Sequence, residues 1–307
     1  MPRSEDFGKA QTSSRAPSDR TGRWQMLRGD ETAPDDPHRP ERFPQFPVPR
    51  APRYRTSRSV VALMLREMST TYGRSPGGYL WVILEPVGGI ALFSLVLAFG
   101  LRVKSPGLGT NFPLFYATGT LCMMMYQRGA SSVSRSLAFS SSLLFYPGVS
   151  YIDAILARFL VHLLTYLLIS YLVFGGVLLL FETRAALDIP SIILSLILAA
   201  LLGLGIGCLN IYLFSTFPLW ESLWGIVTFP LLILSTVFYT FEALPAQVRD
   251  VLWYNPLVHV IGIMRRGFYP TYGATWTSSS YVLAFAMVPL VIGLFLLRRY
   301  HRDILNR

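Results

Sequence analysis

Residues 189–214 read IPSIILSLILAALLGLGIGCLNIYLF, twenty-six positions without a charged side chain. A helix needs roughly 20 apolar residues to cross about 30 Å of hydrocarbon, so this stretch is long enough to span a membrane with some tilt. Upstream, Tyr151–Leu180 is equally apolar once Asp153 and Arg158 near its start are passed. Working outward, further apolar segments fall at Leu80–Leu101, Phe112–Arg128, Leu223–Thr240 and Tyr281–Leu297. The second of the six, Phe112–Arg128, is short, so Arg128 must snorkel or face a cavity. The reading is an all-α integral membrane protein of six transmembrane helices, with an amphipathic interface helix before them and re-entrant or surface helices before the last.

Composition agrees. Of 307 residues, 52% are hydrophobic and 14% charged, and the mean hydropathy is +0.44. Soluble domains carry about 25% charge, which excludes an ordinary cytosolic enzyme. The charge is also unevenly placed: residues 1–59 hold 12 of the 27 Lys and Arg, 8 of the 17 Asp and Glu, and 9 of the 21 prolines. Three regions follow. Residues 1–55, rich in Pro, Ser, Arg and Asp, bury too little apolar surface to fold and read as a disordered cytoplasmic tail. No apolar core follows its basic start, so it is not a secretory signal. Residues 56–78 are the interface helix and 79–307 the transmembrane domain. The net charge of +10 serves membrane orientation rather than nucleic acid. Cys122 and Cys208 lie inside apolar runs with no metal-ligand or disulfide spacing.

Between Ser57 and Tyr72, Val61, Met64, Leu65, Met68 and Tyr72 recur at steps of three and four and share one face of a helix. Arg58, Arg66, Glu67 and Thr70 occupy the other side. Such a helix lies in the membrane interface or packs on the protein. Arg and Lys near the span ends put both termini in the cytoplasm, with eleven residues on that side (Arg66, Arg128, Arg135 and Arg299 among them) against six (Arg102, Lys104, Arg184, Arg249, Arg265 and Arg266). Two connections are unusual. Gly129–Ser150 is too polar to span and too apolar to float free. Phe241–Ser280 holds two apolar stretches too short to cross, with Trp253, Tyr254, Asn255 and Pro256 between them.

Catalytic patterns are missing. The two lysines, Lys9 and Lys104, complete no Walker A loop, and no acidic pair offers a metal site for glycosyl transfer. His162, in mid-span, is a helix–helix hydrogen-bonding group before it is a proton carrier. The chain itself holds no cofactor.

A family resemblance rests on two blocks. Residues 65–86, LREMSTTYGRSPGGYLWVILEP, resemble the opening signature of ABC-2 type permeases that export polysaccharides, which runs R-E-x-x-x-R/T-Y-x-x-S/G-x-L-G-x-x-W-x-x-x-x-P. Trp253-Tyr254-Asn255-Pro256-Leu257-Val258-His259, followed by Arg265-Arg266-Gly267, looks like the N-P-[LF]…R block before the last span of that superfamily. The first block is the more specific and is closest to capsule exporters, with O-antigen exporters next. The Pro-rich tail departs from the family pattern. The resemblance implies a permease in the bacterial inner membrane that pairs with a second copy of itself. It also implies two separate ATPase subunits, which carry the ATP and Mg2+, and a lipid-linked polysaccharide passed to a periplasmic co-polymerase or adaptor. It implies no nucleic acid partner and no enzyme activity in this chain alone.

Residue roles can be assigned on chemistry. Sugar rings stack on aromatic rings, so a subset of Tyr116, Tyr126, Trp220, Trp224, Tyr239 and Phe241 is expected to line a conduit; an aromatic belt and bundle packing account for most single members. Arg66 and Arg74, beside Tyr72, Tyr79 and Trp81, are placed to take up an anionic headgroup. Arg135, Leu137, Phe139 and Phe145 form the candidate contact with the ATPase. Glu85 before Pro86 reads as a favourable charge at a helix start. Gly203 and Gly207 permit close helix approach, inside the bundle or between two copies. Rival functions keep the fold but change cargo to O-antigen, teichoic acid or another lipid-linked substrate, or make the chain a membrane enzyme or scaffold of glycan assembly.

Overall fold

The computed structural model describes residues 55–72, 78–96, 107–144, 149–181 and 187–305. Among them the regular elements are helical: α1 (Arg55–Tyr72), α2 (Gly78–Leu95), α3 (Phe112–Ser134), α4 (Ser136–Leu144), α5 (Tyr151–Leu180), α6 (Ile189–Thr216), α7 (Pro218–Leu234), α8 (Ala246–Leu252), α9 (Pro256–Phe268) and α10 (Ser279–Leu305), with a 3-10 turn at Phe241–Ala243. Three of these, α5, α6 and α10, are long and apolar enough to cross a membrane; α2 and α7 are apolar but shorter. Apart from Arg55, the tail lies outside the described residues. So do Arg74, Phe145, Arg102, Lys104 and Arg184, and the side chains of Tyr72 and Tyr79.

Local chemistry sets the helix ends. Ser150 and Asp153 close a reciprocal capping box at the start of α5: the Ile152 amide donates to Ser150 Oγ (3.3 Å) and the Ser150 amide to Asp153 Oδ2 (3.0 Å). Proline follows the N-cap closely in α3, α6, α7 and α9, where its missing amide leaves no intrahelical bond unmade. Phe217 alone joins α6 to α7, capping the end of one and the start of the other. Asn210 Oδ1 accepts from Trp220 Nε1 across that joint (3.1 Å).

The centre of the fold is α6, packed against α3, α9 and α10. Lipid tails are as apolar as leucine, so helices in a bilayer associate through close contact rather than through water exclusion. Glycines provide that contact here. A Cβ on Gly203 would lie 2.9 Å from the Tyr126 carbonyl oxygen, and one on Gly207 2.6 Å from Val133 Cβ, both on α3. Gly205 faces Ala286 of α10, and Gly293 of α10 faces Cys208 of α6. The small-residue stripe therefore works inside one subunit.

Several boundaries differ from expectation. The segment expected to end at Arg128 continues as α3 to Ser134, because Gly129, Ser131 and Ser132 are polar or small without breaking a helix. The fifth expected span begins earlier and ends at Leu234. Residues 235–240 leave the helix but continue in the same direction along α3, with Thr236 at φ 59° and Val237 fully buried beside Gly119. Glu85 sits two turns inside α2, not at a helix start. On α1, Val60 and Leu63 pack with Ala157 of α5, while Val61, Leu65 and Met68 remain exposed. The helix is thus docked on the protein through one side and leaves an apolar side bare.

Candidate functional site

At the end of the bundle where α1, α4 and the start of α5 meet, a cleft of about 270 Å³ opens between α1, α2, α3 and α5. Its walls carry charge that the helix pattern left unexplained. Arg158 of α5 pairs with Glu67 of α1 at 2.8 Å, both side chains largely buried. Arg128 of α3 pairs with Glu85 of α2, and Arg135, at the end of α3, with Glu221 of α7 at 2.9 Å. The last two pairs are about half exposed, and pairs of that kind contribute at most about 1 kcal/mol in water. Each of the three joins a central helix to a peripheral one. Sequence reasoning missed them because the partners are 43 to 91 positions apart; the only signal was a carboxylate standing in an otherwise uncharged segment.

The expected site residues separate into groups. Arg66 and Arg158 flank the Phe139 ring, their guanidinium carbons 5.4 and 4.3 Å from its centroid. Phe139 thus seats α4 against α1 and α5 through cation–π contact. Leu137 is a correction: it points inward, 1% exposed, among Val133, Ile155 and Leu204, so it does not face a partner. Arg135 is exposed. Tyr116 and Tyr126 are buried in the bundle core. Trp224 lines a second groove of about 420 Å³ between α3 and α7, with Arg135, Glu221 and Gln127. Trp220 is half-buried and bonded to Asn210, and Trp81 is exposed. His162 donates from Nε2 to the Met125 carbonyl (3.0 Å), an interhelix bond that Gly129 makes room for.

At the opposite end, the second sequence block has a clear task. Asn255 caps α9 by accepting from the Leu257 amide (3.0 Å), and its amide donates to the Leu234 carbonyl (3.2 Å) and Ser235 Oγ (3.1 Å). Pro256 opens α9, which is buried nearly throughout and inserted among α3, α6 and α10, whereas α8 is a largely exposed surface helix. Arg265, 1% exposed, donates to the carbonyls of Tyr239 (2.8 Å) and Val237 (3.1 Å) and lies 4.2 Å from the Phe115 ring centroid. Burial pulls its guanidinium down to about 10, so it stays charged at neutral pH. Asn255 and Arg265 together hold the 234–239 turn against the bundle. Tyr239 is half-buried, its hydroxyl bonded to the Ile233 carbonyl, and Phe241 is buried against Trp276. Trp253 is half-buried and Tyr254 exposed. Among the described residues, no three of His, Cys, Asp and Glu lie close enough to hold a metal ion.

Comparison with known proteins gives this arrangement a context. The ABC-2 type transporter family matches residues 58–269. The polysialic acid transport protein KpsM of Escherichia coli is 29% identical over 240 residues, covering 78% of this chain and 92% of its own. The capsule polysaccharide export inner-membrane protein CtrC of Neisseria meningitidis is 26% identical over 247 residues, and its counterpart BexB of Haemophilus influenzae 24% over 248; both alignments cover 80% of this chain and 92% of the relative.

Proposed function

The chain belongs to the ABC-2 type transporter family, and from that premise we propose that it is the membrane subunit of an ATP-driven exporter of capsular polysaccharide. The observation that carries the reading is its similarity, along 92% of their length, to inner-membrane proteins of capsule export. In this reading α2, α3 and α7 cross the bilayer together with α5, α6 and α10, giving six spans, and both termini are cytoplasmic. Two copies pair around a conduit. Two separate ATPase subunits, carrying ATP and Mg2+, dock below, near Arg135 and Phe145. A lipid-linked polymer comes in past Arg66, Arg74 and Trp81, and a periplasmic co-polymerase or adaptor receives it.

The geometry suits that work in two respects. With the termini cytoplasmic as proposed, the charged cleft and its ion pairs would meet the arriving headgroup, and an anionic group competes for arginines through charge-assisted hydrogen bonds. The charged ties of the peripheral helices α2 and α7 to α3 are exposed ion pairs, so in this reading they are the elements a conformational change moves most cheaply.

Deletion of the gene tests the reading. Lipid-linked polysaccharide should accumulate inside the cells and the surface polymer should disappear, and the purified protein should retain a Walker-A ATPase and stimulate its turnover in lipid. Normal surface polymer in the deletion strain would overturn it. Arg135→Glu should weaken retention of the ATPase; unchanged assembly counts against the docking role. Arg66→Ala should cut export with membrane insertion intact. Accumulation of an O-antigen or teichoic acid intermediate instead would reassign the cargo.

A further inference from the structure

The second end of the bundle holds a pocket that the clamp on the 234–239 turn does not use. It has a volume of about 450 Å³, within the roughly 300–1,000 Å³ of small-molecule sites. Four aromatic rings wall it: Phe241 from the 3-10 turn, Trp253 and Tyr254 from the end of α8, and Trp276 from the segment before α10. Glu242, Arg249 and Asp250 complete the lining.

Three of the four rings, those of Phe241, Trp253 and Trp276, are fixed before any ligand arrives. Trp276 Nε1 donates to Glu242 Oε1 at 2.7 Å, and Tyr272 Oη donates to Glu242 Oε2 at 3.0 Å. Trp253 Nε1 donates to the Trp276 carbonyl at 3.3 Å, and the Trp276 ring lies 4.1 Å from that of Phe241. Preorganised side chains spare a ligand the entropy of ordering them. Tyr254 is 68% exposed, Asp250 is exposed and Arg249 partly so.

We propose that this pocket is a saccharide-binding subsite that takes a pyranose unit of the exported polymer. A pyranose has a C–H face that lies on an aromatic ring and a rim of hydroxyls that both donate and accept. The pocket offers both halves. Trp253 and Tyr254 present ring surface, Asp250 accepts from hydroxyls, and Arg249 donates to hydroxyls or to a ring carboxylate. A purely apolar ligand would leave those charges desolvated without partners. A cationic headgroup would use the rings through cation–π attraction and the carboxylates of Glu242 and Asp250 against the single guanidinium of Arg249, so competition by choline is the arm of the test that separates it from a sugar. The assignment rests on the export reading for the identity of the sugar, and it adds where on the subunit a sugar is held.

The test uses the full-length protein in lipid nanodiscs. The probe is fragments of the surface polysaccharide of the bacterium that carries the gene, titrated calorimetrically. Saturable binding is expected, weakened at least tenfold by Trp253→Ala, little changed by Trp253→Phe, and weakened at least threefold by Asp250→Asn or Arg249→Ala. Those last two positions lie at the protein surface, so their variants fold even if Trp253→Ala does not. Tyr171→Phe, on α5, should leave binding as it is. Absent binding overturns the subsite, as does binding indifferent to the Asp250 and Arg249 variants, or displacement of the fragments by choline. The deletion strain separates the two claims. Lost surface polymer without pocket binding sinks the subsite alone, whereas undiminished surface polymer sinks the export reading.

Discussion

Gly205→Ala should weaken the subunit more than its one added methyl suggests. A Cβ at position 205 would stand 2.2 Å from the Ala286 carbonyl oxygen and 3.3 Å from Pro289 Cγ. Carbon and carbonyl oxygen meet at about 3.3 Å where helices touch, so α6 and α10 must separate by about 1 Å. The obstacle is backbone, and no rotamer change relieves it. Overpacking of a close-packed interior costs about 1–3 kcal/mol, and this site lies at the upper end. At about 2–4 °C per kcal/mol for a large chain, melting of the purified protein should fall by roughly 6–12 °C. The assay is thermal unfolding in nanodiscs, with Gly175→Ala as the control, since nothing lies within 4 Å of a Cβ there. Gly203→Ala, 2.9 Å from the Tyr126 carbonyl oxygen, should fall between the two. If Gly205→Ala melts with the wild type, the α6–α10 contact is not built as described.

Three other changes are informative. Arg265→Met leaves the carbonyls of Val237 and Tyr239 without their donor; at about 1–3 kcal/mol per unsatisfied buried group, folded yield and melting temperature should both drop, and Arg265→Lys should recover part of the loss. Either Glu67→Gln or Arg158→Met should cost about 3 kcal/mol by stranding a largely buried charge, while the double change should cost less than the two singles added, as a double-mutant cycle by denaturant unfolding would measure. His259 accepts from the Ser278 amide at Nδ1 and donates from Nε2 to the Trp253 carbonyl, an arrangement only the neutral ring can make. Burial lowers its pKa against that carbonyl bond, which raises it. A depressed histidine pKa contributes stability that is complete above the unfolded value of about 6.5 and is lost as pH falls toward the folded value. The melting temperature should therefore decline on acidification from pH 8 to 5, and less so in His259→Gln.

How far the sequence could be read depended on the kind of signal. The cores of α5, α6 and α10 were plain because uncharged runs of such length have one stable use. The end of α7 was not, because residues 235–240, STVFYT, hold no charge, glycine or proline to mark a break; the turn is made by Thr236 at positive φ. On α1 the apolar stripe was found, yet the docked face, through Val60 and Leu63, lies about 100° away around the axis, one position along. Periodicity identifies an apolar face but does not say whether lipid or protein covers it. Leu137 failed as a partner-facing residue for the same reason. The ion pairs and the Arg265 clamp join residues distant in sequence, and no local pattern encodes such pairing.

The single-residue joint at Phe217 leaves α7 in an unusual position. Judged among the described residues, the helix has no buried residue, being fastened near its foot through Trp220 and Glu221 and above its last turn through Asn255. Between those ends the helix touches the bundle only along a half-buried line through Trp224, Thr228, Leu231 and Leu232, and its opposite side is bare and contributes little to the melting of an isolated subunit. Substitutions at Ile226, Val227 or Phe229 thereby escape the usual ambiguity between a damaged fold and a damaged activity: any defect they cause in cells reports on what lies against that surface from outside the chain.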